Sequence, residues 1–185
     1  SNTICEGDTT FFTDLSTTIL PLGGVITSWN WSMIDVIDGD YILGTSNSSP
    51  NPVFIYHNDG TYNVTLTVTD TFGGTHDTTI IVTVDPGPIA NFSATTECEG
   101  DSTVFTDGST ILPLGGVITE WEWDFGDPPN SGGTSSDPNP SYLYAQAGIY
   151  NVTLTVTDIN GCIGDTTIII TVDTLPIANF SATEI

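Results

Sequence analysis

Hydrophobic and polar positions alternate along most of this chain. In YNVTLTVTD, residues 150–158, Tyr150, Val152, Leu154 and Val156 fall on one side, and Asn151, Thr153, Thr155 and Thr157 on the other. A period of two predicts a strand with one buried face. Trp121, Trp123 and Phe125 alternate in the same way with Glu120, Glu122 and Asp124. Thr and Ile dominate these stretches, and both suit a pleated sheet better than a helix. DING at 158–161 predicts a hairpin turn in which Gly161 takes a positive φ. No window carries a helical period. Many short strands punctuated by Gly and Pro predict an all-β chain of sandwiches.

The pattern repeats. CEGDTTFFTD at 5–14 returns as CEGDSTVFTD at 98–107, and ILPLGGVITSWNW at 19–31 as ILPLGGVITEWEW at 111–123. YNVTLTVTD at 62–70 recurs unchanged at 150–158, and DTTIIVTVD at 77–85 becomes DTTIIITVD at 165–173. Pro88 and Pro176 are 88 residues apart, close to the ~100 of an immunoglobulin-type sandwich. The short stretches DPGP (85–88) and DTLP (173–176) mark the joints. The expected division is a sandwich over 1–86, a second over 87–174, and a remainder over 175–185. That remainder contains PIANFSATEI, which nearly repeats the PIANFSATTE that opens the second copy at 88–97. Only SNTI precedes Cys5 in the first copy.

The first sandwich is therefore expected to lack its opening strand, the second to be complete, and the tail to be a spare opening strand. Ile177, Ala178, Asn179, Phe180, Ser181, Ala182 and Thr183 are expected to complete an adjoining sandwich by strand addition, with Ile177 and Phe180 entering its core. The adjoining sandwich can belong to the same polypeptide in a long array or to a separate copy joined head to tail. A frayed terminus is the third possibility.

Composition narrows the partners. Of 185 residues, 23 are Asp or Glu and none is Lys or Arg, for a formal net charge of −23. Nucleic-acid binding needs cations to displace counterions, and anionic lipid needs the same. A Walker-type phosphate loop needs a Lys. All three are excluded. Divalent cations, neutral glycans, copies of the chain and adjoining repeats remain. A hydrophobic content of 38% predicts folding rather than disorder. No apolar run approaches the ~20 residues of a membrane span, so no membrane insertion is expected.

WEWDFGD at 121–127, followed by PNPSYLYAQAGIYNVTLTVTDINGC at 138–162, resembles the PKD repeat. The matching positions are Trp123, Phe125, Gly126, Asp127, Pro140, Tyr144, Gly148, Tyr150 and Asp158. The resemblance implies two tandem immunoglobulin-like Greek-key β-sandwiches in a secreted or cell-surface protein. The first copy departs from the motif, with WSMIDVIDGDY at 31–41 in place of WDFGD. The CEGDT openings and the NGC turn are similar to PKD arrays of giant surface proteins in Bacteroidetes-like bacteria.

Three Cys are present. Cys98 precedes the second strand of copy two and Cys162 lies in its last turn; Gly74 stands at the matching turn in copy one. A Cys98–Cys162 disulfide is expected, which suits an oxidising extracellular setting. Buried free thiols are the alternative, and Cys5 is left either free or bonded between protomers. The resemblance also raises calcium, since some PKD domains hold it through loop carboxylates; the comparable residues are Asp107, Asp158, Asp14 and Asp70. Asp ahead of a turn equally serves to bind local backbone amides, and DVIDGD at 35–40 lacks the ligand spacing of an EF-hand loop.

Catalysis finds little footing. His57 and His76 have no nucleophile motif around them, and Glu120 and Glu122 face outward on one strand. Trp29, Trp31, Trp121 and Trp123 are core candidates that could alternatively stack on sugars. The expected role is a non-enzymatic extracellular filament, stalk or adhesin shaft. The alternative is a glycan-binding accessory module of a secreted hydrolase.

Overall fold

The computed structural model describes residues 4–18, 24–34, 39–111, 116–127 and 133–182. They divide into two compact units, Ser1–Gly87 and Pro88–Ile185. Among the described residues every regular element is a strand, and no helix is long and apolar enough to cross a membrane.

The first unit contains β1 (Ile4–Cys5), β2 (Thr9–Phe11), β3 (Ile26–Ile34), β4 (Gly39–Tyr41), β5 (Val53–Tyr56), β6 (Gly60–Asp70) and β7 (Thr75–Asp85). One sheet has the order β1-β7-β6-β3 and the other β2-β5-β4. The alternation seen in the sequence is the alternation of burial. Tyr62, Val64 and Leu66 are buried along β6, and the Thr residues between them look outward. On that outer face Thr65 and Thr79 share a hydroxyl hydrogen bond of 2.7 Å across β6 and β7, a cross-strand pair of the kind that stabilises a sheet. Phe12, Trp31, Phe54, Tyr56, Val82 and Val84 complete the core.

The second unit contains β8 (Pro88–Ile89), β9 (Phe92–Ala94), β10 (Ser102–Asp107), β11 (Thr110–Ile111), β12 (Ile118–Asp124), β13 (Thr134–Ser135), β14 (Ser141–Leu143), β15 (Gly148–Asp158) and β16 (Ile163–Val172). Its sheets run β13-β12-β15-β16 and β14-β10-β9, with β8 paired to β11. Trp123, Phe125, Phe105 and Tyr144 are essentially fully buried at its centre. The Trp123 indole donates to the Asp137 carbonyl at 2.9 Å, as the Trp31 indole does to the Ser49 carbonyl in the first unit. Tyr62 and Tyr150 each donate to a carbonyl four residues upstream, at 2.8 Å, which locks the start of β6 and β15 in the manner of a tyrosine corner.

The two copies diverge after the central Trp for a steric reason. Gly126 adopts φ +66° and lies so close to β15 that a Cβ there would be 2.2 Å from the Asn151 carbonyl oxygen. Only Gly fits, so β12 ends at Asp124. The first copy has Ile34 at this position, and β3 continues in register with β6 as far as Ile34 opposite Asn63. Of the variant DVIDGD loop, residues 35–38 lie outside the described residues.

The expected Cys98–Cys162 bond is not formed. Cys98 is a free thiol, while Cys5 and Cys162 are each disulfide-bonded. Strand geometry explains why. Cys98 bridges to Asp173, just past the end of β16, whereas Cys162 precedes the start of that strand. Eleven residues of extended chain separate the two ends by roughly 35 Å, and a disulfide needs Cα atoms within about 7 Å.

Candidate functional site

The first unit has an open groove of about 1410 Å³. Its floor includes Phe12, Trp31, Leu66, Val68 and Val82. The second unit shows what such a groove holds. There β9 pairs antiparallel with β10, placing Ala94 opposite Phe105, Ser93 opposite Thr106 and Phe92 opposite Asp107. Phe92 is buried and meets Trp123 edge to face, with ring centroids 5.0 Å apart. Pro88 is also buried, whereas Ile89, Asn91 and Ser93 face outward.

In the first unit the residues equivalent to Phe105, Thr106 and Asp107 are Phe12, Thr13 and Asp14. Among the described residues, β2 pairs only with β5, and no strand covers that other edge. Side chains that β8 and β9 shelter in the second unit are correspondingly less protected. Ile168 is packed against the core, but its counterpart Ile80 is 52% exposed. Val156 is fully buried where Val68 is only partly so, and Asp158 is buried where Asp70 is partly open. The paired copies thus act as an internal control: the same β-sheet residues are less covered in the unit where, among the described residues, no strand pairs with the free edge of β2.

The tail carries the matching segment. Residues 174–182 belong to no regular element and are exposed, with Ile177 and Phe180 94% and 93% accessible. Aligned with 88–94, Pro176, Ala178, Phe180 and Ala182 match Pro88, Ala90, Phe92 and Ala94, which are buried or half-buried. Phe180 corresponds to Phe92, which is buried, and Ile177 to Ile89, which is 55% exposed. Thr183 lies outside the described residues.

The four aspartates raised as calcium ligands are engaged in local bonds. Asp14 accepts from the Ser16 amide at 2.9 Å and from the Trp29 indole at 2.6 Å. Asp107 accepts in the same way from Ser109 at 2.9 Å and Trp121 at 2.8 Å. Asp70 accepts from the amides of Phe72 and Gly74, and Asp158 from those of Asn160 and Cys162. Among the described residues no three acidic, His or Cys side chains form a metal-binding cluster. The same bonds bear on sugar stacking: Trp31 and Trp123 are buried, and the half-buried Trp29 and Trp121 have their indole N–H groups tied to Asp14 and Asp107.

Two family models, both described as PKD domain, match residues 1–83 and 85–172. The chain belongs to the PKD domain family. The pre-pro-metalloprotease PrtV of Vibrio cholerae is 37% identical over 81 residues, which are 44% of this chain and 8% of that protein. Among solved structures, the PKD1 domain of Vibrio anguillarum Epp is 34% identical, covers 49% of this chain and 99% of that one, and has a TM-score of 0.43. The PKD1 domain from the V. cholerae PrtV metalloprotease is 37% identical, with coverages of 47% and 98% and a TM-score of 0.41. These relatives come from Vibrio and lend no support to the expected likeness to Bacteroidetes arrays.

Proposed function

We propose that this chain is a non-catalytic, structural segment of an extracellular protein, in which PKD domains join head to tail into a filament, stalk or adhesin shaft. Residues 177–185 of one unit complete the first domain of the next. One observation carries this reading: the first domain leaves open the groove that Phe92 fills in the second, and the exposed tail repeats the sequence around Phe92. Seating Phe180 alone would contribute roughly 2–3 kcal/mol of apolar burial, in addition to backbone pairing along the open edge. The partner is an adjoining repeat of the same polypeptide or a second copy of the chain, and either would use the same contact. PKD matches over both halves, and a relative in which PKD segments accompany a metalloprotease, favour an extracellular structural or accessory role over chemistry within residues 1–185.

Deleting residues 176–185 tests the joint. Subunits that still form fibres without them would rule out strand addition. The mass of denatured native material then separates peptide-linked repeats from separate subunits.

A further inference from the structure

The groove of the first domain is not an equal copy of the occupied one. In the second domain the opening strand comes unusually close to β16. A Cβ built on Gly164 would lie 2.0 Å from the Pro88 carbonyl oxygen and 3.0 Å from its carbon. Gly164 sits opposite Val156 on β15. The equivalent register position in the first domain, opposite Val68 on β6, is His76. His76 is exposed and lines the open groove. Its Cβ occupies the forbidden space whatever rotamer the imidazole adopts, because Cβ is fixed by the backbone.

We propose that His76 is a specificity-determining residue that closes one end of the acceptor groove to a strand seated as β8 is. The incoming segment is residues 176–182 of a second copy, and this inference rests on the strand addition proposed above. The segment engages through Ala178–Ala182, with Phe180 over Trp31 and Phe12, while Pro176 and Ile177 stay lifted from β7. The first domain thus reads the Phe180 half of the strand and ignores the Pro176 half. The second domain, with Gly164, holds both halves of its own strand.

Two labelled peptides, residues 176–185 and residues 178–185, test this by fluorescence anisotropy with the full chain below its assembly concentration. The native chain is expected to bind both peptides within twofold of each other. His76→Gly is expected to bind the longer peptide at least fivefold more tightly than the shorter. His76→Ala keeps a Cβ and is expected to behave like the native chain, which separates backbone exclusion from any role of the imidazole. Thermal unfolding of the three proteins checks that the first domain remains folded. The proposal on His76 is overturned if His76→Gly treats the two peptides alike, if His76→Ala gains as much as His76→Gly, or if the native chain already prefers the longer peptide fivefold. Binding that appears only in His76→Gly overturns the proposal, because His76 would then exclude the whole segment and not one end of it. Absence of binding in all three proteins overturns both this proposal and strand addition.

Discussion

At the scale of single residues, Asp14 and Trp29 form a unit that recurs as Asp107 and Trp121. Partial burial pushes the Asp14 carboxyl up, and the hydrogen bonds from Ser16 and Trp29 together outweigh it, so the group sits below its ordinary value. The folded chain therefore favours the carboxylate. Its contribution is present above the unfolded value of about 4 and disappears as pH falls through the lower folded value. Asp14→Ala is expected to destabilise the first domain by about 1–2 kcal/mol at neutral pH. The deficit should shrink toward pH 2–3, as read by urea midpoints. The tyrosines act at the other end of the scale. Tyr41, Tyr56, Tyr62, Tyr144 and Tyr150 are all pushed up, first by burial and, for all but Tyr41, further by neighbouring groups. Their neutral forms stabilise the fold fully below about pH 10 and cease to do so as pH climbs through the folded values. With no Lys or Arg to titrate, alkaline unfolding should begin above about pH 10 and release tyrosinate absorbance in one steep step with loss of the β circular-dichroism signal. A gradual rise centred on pH 10 with the fold intact would contradict this.

At the scale of elements, a strand contributes according to the groove it fills. Phe92→Ala empties a site between Trp123 and Phe105 and should cost the second domain about 3–5 kcal/mol. Phe180→Ala alters a side chain that touches little in an isolated chain, so monomer stability should be unchanged while self-association is lost. Differential scanning calorimetry and sedimentation would read the two effects separately; a Phe180→Ala chain that associates normally would exclude this contact. The strands were legible from the sequence because period-two alternation in YNVTLTVTD states which side is buried. The opening strand of the second domain was legible because PIANFSAT alternates ahead of the CEGD turn, and β8 and β9 form there. The disulfide was not, because alignment gives the order of residues and not the roughly 35 Å of extended strand between Cys98 and Cys162. The close approach of Pro88 to Gly164 was also hidden, because it depends on which way a short strand leans against its neighbour, which appears only in the coordinates.

At the scale of the whole molecule, charge opposes the function proposed for its ends. Every ionised side chain is acidic apart from any protonated His, and the net charge is −23, so two copies repel on approach whatever surfaces they present. The attraction available to a joint is apolar burial and backbone pairing, neither of which salt weakens. Raising ionic strength shortens the screening length from about 30 Å at 0.01 M to about 8 Å at 0.15 M. Association should therefore strengthen with added salt, opposite to an interface held by ion pairs. Sedimentation velocity over a sodium chloride series would show it, with the weight-average mass rising at fixed protein concentration. Calcium chloride at matched ionic strength should act no differently, since Asp14, Asp70, Asp107 and Asp158 are already committed to amides and indoles. A jump in mass at sub-millimolar calcium would instead mean that these carboxylates leave their turns to bind it. Dissociation on adding salt would mean that the ends are joined by something other than a buried strand.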